Sequence, residues 1–396
     1  MKHSHHLCLL TIFILFNSIW SGQSTSDVGS LFPFIQSQAT KSDFPLSFLR
    51  KEFKNLKPWK QKARSKILDL LHYAPIKPNI DAKVIEKIEK EHYIQEKIIF
   101  NTTPNIDVPA YLLIPKNTTL PAPAIIAMHD HGGFYFWGKE KLIEFPNENP
   151  TLKNFKKKYY AGNSIASILA EQGYVVIVID MFYWGERRMI LDNSPAWYNP
   201  STNIPNAQIT ECNQQAGENA ELANNTILTA GFTWPGVMLW DDIRTIDYLL
   251  TRPEVDKKRI GCLGLSIGGL RAAMLAALDD RIKAAVTVCW MTSFPLQLKN
   301  HIKNTIGETV IIPGLYNYLD YPDIISLAMP SALLIIHGNK DNLFEPSGVL
   351  ASFDKLSSCY KKAGIADKLT IHTYDAPHEF NAQMQQEVWE WLKKWL

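Results

Sequence analysis

The chain has 396 residues, 46% of them hydrophobic, with 41 Lys and Arg against 39 Asp and Glu and a formal net charge of +2. That composition supplies a large core and gives no basic excess of the kind a nucleic-acid-binding surface needs. No repeat or low-complexity tract is visible.

The N-terminus reads as a targeting segment. Lys2, His3, His5 and His6 precede an apolar run from Leu7 to Phe16, broken only by Thr11, and the small residues Ser21, Gly22 and Ser24 follow. A span of a bilayer needs about 20 apolar residues, so this shorter run fits a secretory signal better than a membrane anchor. Residues 1–24 are predicted to be removed on export, leaving no stable membrane association. Export permits disulfides, and four cysteines remain: Cys212, Cys262, Cys289 and Cys359. Cys262 and Cys289 fall on predicted core strands and read as buried thiols; the spacing does not set any pairing.

Residues 25–94 are predicted to form a helical extension. They are Lys-rich, and Pro58-Trp59 precedes Ile67, Leu68 and Leu71 at helical spacing. From residue 95 the pattern changes to short apolar runs separated by helical stretches. The predicted strands are Lys97–Phe100, Ala110–Ile114, Ala124–Met128, Tyr174–Asp180, Ile260–Gly264, Ala284–Val288, Ala332–Ile336 and Leu369–Tyr374. Such alternation implies an α/β fold, a mostly parallel central sheet flanked by helices. Ligands of such sheets bind beyond the strand carboxyl ends. Lys153, Lys156, Lys157 and Lys158 read as a solvated helix face. The segment 190–235, rich in Asn, Pro, Ser, Thr and Gln, reads as a lid-like insertion, with Trp197, Tyr198 and Trp234 as walls of a pocket. Phe134, Trp184 and Trp290 follow strand ends, and with Trp234 they are the predicted substrate-binding aromatics.

Gly264-Leu265-Ser266-Ile267-Gly268 carries the strongest chemical signal. It joins a buried strand to the Ala-rich helical stretch that starts at Gly269. A serine in such a turn has its hydroxyl pushed out at the end of a sheet. A serine needs a base, and the base an orienting carboxylate. Asp341 lies in the polar turn after Ala332–Ile336, and His378 follows the last predicted strand. They are the predicted acid and base, with Glu345 and Asp375 as the other candidate acids. The oxyanion requires preorganised N–H donors. Ile267, immediately after the serine, is one; the loop His129-Asp130-His131-Gly132-Gly133 supplies the other, from His131 or Gly132. His129 and His131 also have the spacing of a metal pair, but no further His or Cys follows at ligand spacing, so no metal site is predicted.

These segments resemble the bacterial acetyl xylan esterase and dienelactone-hydrolase-like group of α/β hydrolases. The resemblance is carried by His129-Asp130-His131-Gly132-Gly133, Asp180-Met181-Phe182-Tyr183-Trp184-Gly185-Glu186-Arg187-Arg188, Arg252-Pro253-Glu254-Val255-Asp256 with Gly264-Leu265-Ser266-Ile267-Gly268-Gly269, and Pro377-His378-Glu379-Phe380. It implies an α/β-hydrolase domain over 95–396 and serine-dependent ester hydrolysis without a metal or organic cofactor. The implied substrate is a small-molecule or carbohydrate ester, such as acetylated xylan. A serine peptidase of the prolyl oligopeptidase type is the rival within hydrolases, though the chain has no room for a propeller domain. A non-catalytic hydrolase-fold binder would have lost Ser266, Asp341 or His378. Nothing in the sequence sets the oligomeric state.

Overall fold

The computed structural model describes residues 26–39, 43–191 and 204–396. The predicted signal segment and the aromatics Trp197 and Tyr198 lie outside them. Among the described residues, nine strands form one sheet: β1 Ala82–Glu89, β2 Tyr93–Thr103, β3 Ile106–Pro115, β4 Ala122–Met128, β5 Val175–Ile179, β6 Val255–Leu265, β7 Ile282–Val288, β8 Ala332–Gly338 and β9 Leu369–Tyr374. Their spatial order is β1-β2-β3-β5-β4-β6-β7-β8-β9. The pairings β1/β2, β2/β3 and β3/β5 are antiparallel. All pairings from β5 to β9 are parallel.

Every predicted strand is present, and the unbroken β-branched run Val175–Ile179 lies inside the sheet, where both faces are covered. Side chains alternate across a strand, and here both sets are apolar. Val175, Ile177 and Ile179 of β5 enter the core on one face, while Val176 and Val178 enter the core on the other. The first face is covered by the helices Leu56–Leu71, Trp234–Leu249, Ile267–Leu278 and Pro346–Lys362. The second is covered by Pro150–Tyr159, Ile165–Glu171 and Ala382–Trp395.

Three expectations need correction. The extension is helical over Phe32–Ala39 and Leu56–Leu71, but residues 82–89 form the edge strand β1. Its sequence interleaves Val84, Ile85 and Ile88 with charges, and pairing to the backbone of β2 decides its conformation more than burial does. The described part of the insertion is mainly the helix Asn206–Thr229, which buries Ile209, Ala216, Ala220 and Ile227. Asn, Gln and Thr had suggested a loop, yet one face is apolar enough to pack. Lys156 is not solvated: it is buried, ion-paired with Glu148 and hydrogen-bonded to the Ser164 hydroxyl at 3.0 Å.

The helix Leu56–Leu71 is integral to the packing. Trp59 and Ile67 are fully buried in the first core, and the Trp59 indole donates to the Leu46 carbonyl at 2.8 Å. The four described cysteines are all free thiols.

Candidate active site

The turn from β6 into the helix Ile267–Leu278 is held by contacts that only glycine allows. Ser266 has φ 58° and ψ −127°, a conformation that disfavours any side chain, and its N–H donates to the Val288 carbonyl at 2.8 Å. A Cβ on Gly264 would lie 2.3 Å from the Gly268 carbonyl carbon, and one on Gly268 would lie 2.2 Å from the Met128 carbonyl oxygen. Both distances are well inside van der Waals contact, so the backbones of β4, β6 and the helix meet here without side chains. Ile267 opens the helix, where a backbone N–H has no intrahelical acceptor.

Asp341 and His378 come from the ends of β8 and β9. His378 Nδ1 lies 2.6 Å from Asp341 Oδ2, and Asp341 Oδ1 accepts from the Leu343 N–H at 3.0 Å. The carboxylate is fully buried and the imidazole is partly open. The two strand ends approach closely because Gly338 has no side chain; a Cβ there would lie 2.3 Å from the Ala376 carbonyl oxygen. The alternative acids are elsewhere: Asp375 pairs with Lys340 on the surface, and Glu345 faces His301.

Ser266, Ile267, His131, Gly132, Trp290 and His378 border one cavity of about 380 Å³. The structure therefore brings together the predicted serine, histidine, donor residues and one of the four aromatics. Its remaining wall includes Lys303, Thr305, Glu308, Thr309 and Val310, together with Phe344. This wall was missed in the sequence, where residues 301–312 carry no motif.

The other three aromatics do not line this cavity. Phe134 stacks between Trp137 and Phe155. Trp234 is buried against Phe182 and Tyr183. It opens its helix, right after the N-cap Thr233, with its ring inside the core, so it cannot serve as a lid wall. Trp184 is also buried; it stacks on Tyr135, packs edge-on against His131, and donates its indole N–H to the His131 carbonyl at 3.3 Å. A position after a strand end does not fix which side of the loop an aromatic ring takes.

The loop after β4 is held very differently from the serine turn. Gly132 and Gly133 have φ +59° and +62°. Asp130 accepts from the Tyr160 hydroxyl at 2.5 Å. His129 is fully buried; its Nδ1 donates to the Asp130 carbonyl at 2.9 Å and its Nε2 accepts from the Met181 N–H at 3.1 Å. These partners require a neutral ring, and burial pushes its pKa well below the usual histidine value. Burial likewise lowers His131, to about 4. Three consecutive charged residues, Lys139, Glu140 and Lys141, have fully buried side chains behind the loop. Lys139 Nζ lies 2.6 Å from Asp180, 2.9 Å from Glu140 and 2.7 Å from Glu186. Burial raises Asp180 to about 6, against the pull of Lys139. Lys141 Nζ donates to the Asp130 carbonyl at 2.9 Å and the His131 carbonyl at 3.1 Å.

Cys289, Asp341 and His378 present atoms within 4.8 Å of one another that could ligate a cation. The Nδ1 of His378 and an oxygen of Asp341 are already engaged with each other. Burial raises the Cys289 thiol to about 12, so it stays protonated, whereas a metal ligand would be a thiolate. The donor set suits the hydrogen bond better than an ion.

A mostly parallel sheet with the chemical side chains on loops leaving its strand carboxyl ends is the architecture of an α/β hydrolase. The chain belongs to the Abhydrolase family, whose pattern matches residues 16–392. It is 28% identical over 333 residues to the candidate hydrolase YtaP of Bacillus subtilis (strain 168), covering 84% of this chain and 98% of that protein. Among solved structures it is similar to a candidate acetyl xylan esterase from Bacteroides fragilis NCTC 9343, with TM-score 0.67 and 19% identity over 89% of this chain and 85% of that one. It is also similar to a glucuronoyl esterase from Solibacter usitatus, with TM-score 0.61 and 14% identity over 88% and 97% of the two chains. At these identities the structural likeness is one of fold.

Proposed function

We propose that the protein is an exported serine esterase that removes short acyl groups from carbohydrate esters. The observation that carries this reading is the 2.6 Å His378–Asp341 contact at the edge of the cavity that Ser266 also borders. Ser266 Oγ attacks the ester carbonyl as His378 Nε2 takes its proton. Asp341 holds Nδ1–H toward itself, which fixes the tautomer and stabilises the imidazolium. N–H groups of Ile267 and of the His131–Gly132 segment receive the oxyanion. His378 then protonates the leaving alcohol. It next takes a proton from water, which attacks the acyl-enzyme, and returns that proton to Ser266 as the acid is released.

The cavity supports the substrate class. About 380 Å³ suits a short acyl group with one sugar ring more than a long lipid chain. Trp290 and Phe344 give an apolar surface for a ring face, and Thr305, Glu308 and Thr309 give partners for hydroxyls. Among the fold neighbours the acetyl xylan esterase fits this class, while the glucuronoyl esterase acts on esters in which a sugar acid is the acyl part. Among the described residues no helix is long and apolar enough to cross a membrane, and export through residues 1–24 is part of the proposal.

The test is hydrolysis of acetylated xylo-oligosaccharides and p-nitrophenyl acetate by the unaltered protein and by Ser266→Ala. The alanine variant is expected to lose turnover by roughly 10⁴-fold or more. Ester hydrolysis that persists in it, or preferential cleavage of a Pro-linked anilide by the unaltered protein, would overturn the assignment. Sequencing the N-terminus of protein recovered outside the cytoplasm tests export.

A further inference from the structure

We propose that Lys141 is a positioning residue for the oxyanion, acting through the two peptide groups that carry the N–H bonds of His131 and Gly132. The inference rests on the reading of Ser266 as the nucleophile.

A peptide carbonyl and the N–H of the next residue belong to one polarisable unit. The Asp130 carbonyl is conjugated with the His131 N–H, and the His131 carbonyl with the Gly132 N–H. Lys141 Nζ donates to both carbonyls, at 2.9 and 3.1 Å. The Asp130 carbonyl takes a second donor, His129 Nδ1 at 2.9 Å, and the His131 carbonyl takes two more, the Phe134 N–H at 3.2 Å and the Trp184 indole at 3.3 Å. The two N–H groups at the other end donate to no protein atom among the described residues, and both residues border the cavity with Ser266. Charge drawn toward the ammonium at one end leaves the N–H at the other end more positive. Hydrogen bonds in such chains reinforce one another, most strongly where water is excluded.

The ammonium is matched to this task. Its three hydrogens face the two carbonyls and the Asp130 carboxylate, whose Oδ2 is 3.6 Å away. Its side chain is fully buried, and packing alone would be met by a methionine without the cost of desolvating a charge. Lys139, two residues earlier and equally buried, is engaged by carboxylates instead. Burial of a lysine in this segment therefore does not by itself lead to the loop carbonyls. The loop is also fixed against drift: a Cβ on Gly132 would lie 2.5 Å from Asp130 Oδ2, so the glycine backbone sits directly against the carboxylate that faces Lys141.

The experiment compares the full-length protein with Lys141→Met and Lys141→Arg on p-nitrophenyl acetate, with rates normalised to sites titrated by a fluorophosphonate. Lys141→Met is expected to lower kcat by about 10- to 100-fold, less than the deletion of a direct oxyanion donor, with KM changed by less than about threefold. A boronic acid, which forms a tetrahedral anion on serine, should bind more weakly by a similar factor. Lys141→Arg keeps a charged donor and should recover most of the rate. A purely structural role would reduce the titratable fraction and leave kcat per site and boronate affinity intact; that result overturns the inference, as does a loss confined to KM. If the methionine variant does not fold, Lys141→Gln stands in, with a kcat between those of the unaltered protein and the expected methionine value. An unchanged kcat in the glutamine variant also overturns the inference. Failure of the unaltered protein to label or turn over would instead count against the esterase reading itself.

Discussion

The serine turn and the loop after β4 face the same cavity but are built from opposite materials. At the turn, backbone meets backbone, and Gly264 and Gly268 are required because no side chain fits. At the loop, buried charges and rings do the holding: Lys139 with three carboxylates, Lys141 on two carbonyls, Tyr160 on Asp130 and a neutral His129. The first arrangement resists change by excluded volume, which is insensitive to pH and salt. The second depends on charge states, and so on solution conditions. A cavity with one sterically fixed wall and one electrostatically fixed wall can be tuned on the second without disturbing the turn that holds Ser266.

Three measurements probe this contrast. The largest effect is expected from Lys139→Met, which leaves Asp180 and Glu140 buried without their cation. Urea unfolding should register a loss of about 3–5 kcal/mol, the usual penalty for breaking a buried ion pair from one side. A loss below about 1 kcal/mol would mean that the carboxylates reach water when the lysine is gone. Gly268→Ala should cost about 3 kcal/mol, because a methyl 2.2 Å from the Met128 carbonyl forces β4 and the helix apart. Unlike the lysine variant, its penalty should stay constant from pH 6 to 8; a penalty that changes with pH would place charge at the turn as well. The smallest effect concerns His129. Its folded-state pKa is depressed, so the unfolded chain binds a proton that the folded one refuses. The stabilising contribution is complete above the unfolded value near 6.5 and is lost as pH falls below it, by at most about 1.4 kcal/mol per pH unit for one proton. His131 and His337 are depressed in the same sense. Replacing His129 with Gln should therefore shallow the slope of stability between pH 6.5 and 5 without abolishing it. An identical slope in the variant would show that this ring is not a titrating element.

The same contrast explains what was legible in the sequence. Glycines required by sterics leave a motif, and strand ends can be read from apolar runs, so Ser266, Asp341 and His378 could be named with their places on the sheet. Lys139-Glu140-Lys141 looks like any solvated turn, because nothing local signals that three neighbouring charges will be enclosed. Lys156 misled for the same reason. Trp184 is placed after the correct strand but on the wrong side of it, and Trp234 reads as a wall of the insertion although it opens a helix inside the core, since a ring's direction follows a path that only tertiary packing sets. The wall from Lys303 to Val310 has neither a glycine pattern nor a periodicity. β1 was hidden because its pairing comes from β2 rather than from its own burial.

β1 has a further consequence. It ends the sheet with a free row of peptide groups, and Val84 and Ile85 stand exposed beside it. Such a margin invites a strand from another molecule to dock and start a fibre. Lys83, Glu86, Lys87 and Glu89 are spaced along that margin, and the register slips between Val84 and Glu86. An incoming strand would have to desolvate those charges and follow the irregularity, so this outermost strand acts as its own gatekeeper.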